Sequence, residues 1–208
     1  LTGTLPSDHY PIQATLSKSL PHAMEKKVKA SALFNGKDLS GWTALAGGHW
    51  EVKDGVIVGT SAKSEKRHGI LLSDKQYSDF EVTLEYKALV GNSGFYFRAE
   101  RVKAHAVSVA GFQAEIDASG NAAGGLYETR GRKWVAKPPA QNKAFKAGEW
   151  NEMTVRAQGP NIQVHLNGIK TAELKNDPGR LKGYFGLQLH GGQDMDVAFR
   201  NIRIKELK

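Results

Sequence analysis

Phe80-Glu81-Val82-Thr83-Leu84-Glu85-Tyr86-Lys87 decides the fold. Phe80, Val82, Leu84 and Tyr86 share one parity, and Glu81, Thr83, Glu85 and Lys87 share the other. Successive strand side chains point to opposite faces, so this period of two describes a strand with one apolar and one wet face. The same period recurs on both sides. Trp50–Lys53 and Val56–Val58 flank Asp54-Gly55, and Asn161–Leu166 and Ile169–Leu174 flank Asn167-Gly168. Both dipeptides tolerate the positive φ values of a two-residue hairpin. Further short runs cover Gly69–Leu72, Gly94–Ala99, Gly111–Asp117, Asn151–Ala157, Gly183–His190 and Val197–Glu206. About eleven short strands with Gly-rich turns and no long helical period predict an all-β sandwich or barrel.

Composition narrows the function classes. A chain of 208 residues fits one large all-β domain and buries roughly 70% of its unfolded surface. It has no cysteine, which removes disulfides, thiol nucleophiles, zinc–thiolate sites and iron–sulfur clusters. The formal charge of +8 comes from dispersed Lys and Arg, so it describes a solvated surface rather than a nucleic-acid stripe. No apolar run reaches the roughly 18–20 residues of a membrane span. Residues 1–31 carry Pro6, Pro11 and Pro21 and no sustained period. They read as an N-terminal arm or leader, with room for a short helix at 22–29, ahead of a domain over 32–208.

Several strands carry polar residues on a structured face. Parity puts Gln113, Glu115 and Asp117 opposite Phe112, Ala114 and Ile116, and Gln188 and His190 opposite Leu187 and Leu189. It also puts Tyr96 and Arg98 opposite Phe95 and Phe97. A merely wet face is mostly Lys, Glu and Thr, as at 81–87. The mixed set can both donate and accept in fixed directions, as recognition of many hydroxyls requires. Tyr127, Glu128 and Arg130 belong to a loop expected over this face. Trp134 follows as a candidate platform for the apolar face of a sugar, whereas Trp42, Trp50 and Trp150 are expected in the core. Glu115 and Asp117 at i, i+2 point the same way, about 6–7 Å apart. Laminarinase-type glucanases use a third carboxylate two or three residues on, where this chain has Ser119 and Gly120. That retaining chemistry, which needs paired carboxylates about 5–5.5 Å apart, is disfavoured.

The ordered motifs resemble those of the 3-keto-disaccharide hydrolase family over about residues 32–207. They are Leu33-Phe34-Asn35-Gly36-Lys37-Asp38-Leu39-Ser40-Gly41-Trp42, Asn92-Ser93-Gly94-Phe95-Tyr96-Phe97-Arg98, Gly111-Phe112-Gln113-Ala114-Glu115-Ile116-Asp117, Gly186-Leu187-Gln188-Leu189-His190 and Phe199-Arg200-Asn201-Ile202-Arg203-Ile204. Many members carry Glu at the position of Gln113 and Gln at that of Glu115, so the order here is a variant. The resemblance implies a concanavalin A-like jelly roll, a periplasmic or secreted bacterial setting, and glycosides oxidised at C3 as substrates.

A ketone at C3 acidifies the C2 hydrogen, so the chemistry needs a base, a stabiliser of the enolate oxygen and an acid for the leaving group. The expected base is Glu115. Arg98 or His190 is the expected stabiliser, with His190 alternatively the acid, and Gln113 and Asp117 orient. Gln188, Tyr96, Tyr127, Glu128, Arg130 and Trp134 complete the expected substrate-binding set. No cofactor is expected, although Glu115, Asp117, Gln188 and His190 offer ligands to a divalent metal. A carbohydrate-like small molecule is the expected partner. The alternatives are a lectin-like binding module without chemistry and a structural domain with a wet sheet. Oligomeric state stays open.

Overall fold

The computed structural model describes residues 29–103 and 107–208. Fifteen strands form, in chain order β1 (Ser31–Ala32), β2 (Trp42–Ala44), β3 (His49–Lys53), β4 (Val56–Ser61), β5 (Gly69–Tyr77), β6 (Phe80–Val90), β7 (Asn92–Arg101), β8 (Val109–Asp117), β9 (Leu126–Thr129), β10 (Lys133–Ala136), β11 (Asn151–Gln158), β12 (Asn161–Leu166), β13 (Ile169–Leu174), β14 (Gly183–Leu189) and β15 (Met195–Glu206). No helix occurs among the described residues, and none is long and apolar enough to cross a membrane. The expected arm and its short helix fall mostly in residues 1–28, outside the described residues.

The strands build two antiparallel sheets, as the alternation requires. The first runs β13-β12-β11-β6-β15-β4-β3, with β1 on β15, and the second runs β10-β9-β8-β7-β14-β5-β2. Phe80, Val82, Leu84 and Tyr86 of β6 face inward, toward Phe95 and Phe97 of β7, Phe112, Ala114 and Ile116 of β8, and Leu187 and Leu189 of β14. Burying each large apolar side chain contributes about 1.5–3 kcal/mol, and together they pin the register, because a one-residue slip would turn every one outward. The architecture is therefore the all-β jelly-roll sandwich expected. Four strands carry no legible period: β1, β2, β9 and β10 are two to four residues long.

The outer faces of the two sheets differ. On the first, Glu81 pairs with Arg156 and Glu85 with Arg200, all partly exposed. Trp150, expected in the core, instead lies half-buried under the Arg200 guanidinium, 4.0 Å from the ring centroid. Trp42 and Trp50 are in the core. On the second sheet the outer face is polar yet buried: Tyr96, Gln113, Glu115 and Gln188 are all shielded from solvent.

Among the residues that parity placed on the polar strand faces, Arg98 is the one where a break in the ladder overturns the placement. Phe97 pairs with Phe112 and Glu100 with Ala110, so Arg98 and Ala99 together oppose Gly111. This is a β-bulge, and Arg98 takes a left-handed φ of 48°. A Cβ on Gly111 would sit 2.6 Å from the Ala99 Cα, which is why glycine occupies the place where the bulge closes. The bulge turns the Arg98 side chain off the polar face. It is 1% exposed, and its guanidinium donates to the carbonyls of Ser78 (2.9 Å), Gly159 (2.8 Å) and Arg180 (3.2 Å) and to Asp79 (3.2 Å). Arg98 thus ties the β5–β6 turn to the β11–β12 turn and the segment before β14. Arg98→Ala would strand those carbonyls, so urea unfolding is expected to show a loss of about 3 kcal/mol or more. A loss below about 1 kcal/mol would contradict this structural role.

Candidate active site

The buried polar face forms the floor of a cleft of about 820 Å³. It collects most of the side chains expected from the sequence. Gln113, Glu115 and Asp117 of β8, Tyr96 of β7, Gln188 of β14 and His190 just beyond it all line the space, as do Tyr127, Arg130 and Trp134. Arg98 and Glu128 do not. Arg98 is withdrawn by the bulge. Glu128 pairs in register with the core residue Phe112, whereas Tyr127 pairs with the cleft residue Gln113. Glu128 therefore takes the opposite parity and accepts from Arg132, which also bridges to Asp177.

Four floor residues satisfy one another in a closed ring. Gln113 Nε2 donates to Gln188 Oε1 at 2.7 Å, and Gln188 Nε2 donates to the Tyr96 hydroxyl at 3.1 Å. Thr129 donates to Gln113 Oε1 at 3.2 Å, so the 3.0 Å contact between Tyr96 and Thr129 has the tyrosine as donor. A buried amide left unpaired costs about 1–3 kcal/mol, and the ring avoids that on all four members.

Glu115 stands beside this ring. It is 5% exposed, and its Oε2 accepts from Asn92 Nδ2 at 3.2 Å. Burial pushes its carboxyl up to about 8; Asn92 pulls the other way, and neighbouring Asp117 adds to the rise. A carboxyl with this proton affinity can take and return a proton near neutral pH. Asp117 has a different duty: its carboxylate accepts from Ser119 N (3.0 Å), Ser119 Oγ (2.7 Å) and Ala122 N (3.1 Å), which holds the turn after β8 at the cleft edge.

Two imidazoles complete the site. His190 Nδ1 lies 2.8 Å from the Gly191 carbonyl, which can only accept, so Nδ1 carries the proton and Nε2 is left for a ligand. Gln193 Nε2, at 3.3 Å from the same nitrogen, is then a second donor and makes no bond. His68 packs on His190 with ring centroids 4.2 Å apart. Burial, and then His190, hold its pKa down at about 4. At the rim Trp134, 40% exposed, meets Tyr127 edge to face at 5.5 Å.

Sequence reasoning missed His68, Asn92 and Thr129 as site residues. His68 lies in an irregular segment just before β5, and Asn92 reaches Glu115 only through cross-strand pairing, for which no local pattern exists. Among the described residues no three His, Asp or Glu side chains are grouped to share a metal ion.

A two-sheet lectin-type sandwich with a polar cleft on one sheet is the class that this fold and site define. The chain belongs to the 3-keto-alpha-glucoside-1,2-lyase-like domain family, whose profile matches residues 29–205. No curated protein sequence matches it. Its fold is similar to that of a candidate glycosyl hydrolase from Parabacteroides distasonis (22% identity, 86% of this chain and 94% of that one, TM-score 0.64). It is also similar to the carbohydrate-binding module CBM66 from Bacillus subtilis (17%, 80% and 96%, 0.64). A third likeness is to a Bacillus subtilis protein of unknown function with a galectin-like fold (14%, 86% and 95%, 0.65).

The raised Glu115 pKa has a consequence for stability. An unfolded Glu ionises near 4.5, but folded Glu115 keeps its proton to about 8. Stability is therefore fully present below 4.5 and falls as pH rises through that window. Glu115→Gln removes the loss. Urea unfolding at pH 4.5 and pH 8 should show the variant gaining on the wild type at the higher pH; a pH-independent difference would contradict the burial argument.

Proposed function

We propose that the chain cleaves glycosides whose sugar is already oxidised at C3, by proton abstraction at C2, elimination at C1 and hydration. The observation that carries the reading is Glu115, a buried carboxyl with a pKa of about 8, set in a cleft floored by amides and edged by two imidazoles. Glucanase chemistry would need a carboxylate pair, and Asp117 is committed to its turn. Enolisation needs one base.

In this reading the ionised Glu115 takes the C2 proton, and the electron pair forms an enolate with its charge on the C3 oxygen. The enolate collapses to re-form the C3 carbonyl and a C1–C2 double bond as the C1–oxygen bond breaks. Protonated His190 gives its Nε2 proton to the departing oxygen. Water then adds across the double bond: the neutral His190 Nε2 takes one proton from water, the resulting hydroxide bonds C1, and Glu115 returns its proton to C2. The net change is hydrolysis. Trp134 and Tyr127 form the platform for the sugar or its leaving group, and Arg130, at the exposed rim, supplies donors to the ligand. Asp117 sets the cleft edge. A periplasmic or secreted setting belongs to the same proposal.

A 3-keto-glucoside and its unoxidised parent separate this reading from a lectin. Release of the leaving group from the keto form alone is expected. kcat/KM should rise with pH along a limb centred near 8, because the base must be ionised. Glu115→Gln, still folded, should lose about 100-fold or more. Binding of the parent sugar without release from either compound would favour the lectin, and undiminished release by Glu115→Gln would remove it as base.

A further inference from the structure

The bulge at Arg98 leaves the proposed reaction without its expected enolate stabiliser, so some other donor must meet the C3 oxygen. The side chains around the cleft floor narrow the choice. Gln188 Nε2 lies 2.9 Å from His68 Nδ1 as well as 3.1 Å from the Tyr96 hydroxyl. Which way the imidazole is protonated therefore depends on which way the Gln188 amide faces.

The ring of Gln113, Gln188, Tyr96 and Thr129 has two self-consistent directions, because reversing both amides would reverse every bond. The Ser93 carbonyl breaks the tie. It lies 3.4 Å from Gln113 Nε2 and can only accept, so the Gln113 group facing it is the N–H. Gln113 then donates to Gln188 Oε1, and Gln188 presents N–H groups to both Tyr96 and His68. His68 Nδ1 must accept, and the proton of the neutral ring sits on Nε2. Burial against His190 opposes a second proton. The result is a neutral imidazole on the cleft wall with a fixed N–H, and among the described residues nothing accepts from it.

We propose that His68 is the electrophile of the reaction, its neutral imidazole donating Nε2–H to the C3 oxygen as charge develops there, with Gln188 the positioning residue that fixes its tautomer. This rests on the enolisation reading of the site. A neutral donor suits the task, because a fixed N–H meets the developing oxyanion without giving up its proton, and Nε2–H remains covalently on His68 throughout. His190 is left free to serve the leaving group. His190 lies close against His68, with ring centroids 4.2 Å apart, so any charge that it carries opposes a charge on His68.

Nitrogen-15 correlation spectra of the free protein test the positioning without any substrate. His68 should show an unprotonated Nδ1 and a protonated Nε2 from pH 5 to pH 8. In Gln188→Glu the new carboxylate can only accept, so the His68 proton should move to Nδ1. Should that variant fail to fold, Gln188→Leu, which supplies neither donor nor acceptor, should leave a mixture of tautomers. With a 3-keto-glucoside, His68→Ala should lose about 100-fold or more in kcat, with KM within a few-fold. His68→Asn, which keeps an N–H donor, should recover part of the loss. An Nδ1-protonated wild-type ring, or a kcat of His68→Ala within threefold of wild type, overturns the assignment of His68 while leaving Glu115 as base. Absence of turnover by the wild type overturns the enolisation reading and the catalytic part of this proposal with it.

Discussion

Four polar side chains on one sheet face, Gln113, Gln188, Tyr96 and Thr129, are satisfied only because they satisfy each other. They come from β8, β14, β7 and β9, so the ring closes only when four strands are in the correct register. The apolar face beneath sets that register: Phe112, Ala114, Leu187 and Phe95 hold the sheet against its partner. Core and cleft are thus two faces of one constraint. A slip of one residue would bury Gln113 in the core and expose Phe112, and both changes are costly.

The same constraint explains how a carboxyl survives on this floor. Glu115 shares the parity of Gln113, and its neighbours offer it one modest hydrogen bond, from Asn92. Water is largely excluded, and no cation is paired with it among the described residues. The neutral acid is therefore favoured to about pH 8. Asp117, two residues on and more exposed, has three donors and caps a turn. Two carboxyl groups on one strand thus have separate roles, set by how many donors each accepts from and how far each is shielded from water.

Most of the scaffold was legible in the sequence. Phe80–Tyr86 and Phe112–Ile116 alternate without a break, and Asp54-Gly55 and Asn167-Gly168 take the positive φ values of their hairpins. The polar parity of β8 and β14 placed Gln113, Glu115, Gln188 and His190 around a shared hollow. Arg98 was misplaced because parity assumes an unbroken ladder. The extra residue of the bulge is announced only by Gly111 on the neighbouring strand, whose purpose no local pattern declares. Glu128 was misplaced because β9 was not recognised as a strand, so its alternation with Tyr127 could not be applied. His68 was missed because its position comes from the fold of an irregular segment rather than from any period.

The central claim is that the fold withholds water from Glu115 and so keeps its proton at neutral pH. Site-resolved carbon-13 titration of the Glu115 carboxyl in the free protein tests it most directly. A midpoint near 8, moving higher when the Asn92 donor is removed, is the predicted result. A midpoint between 4 and 5, the range of a solvated glutamate, would contradict it.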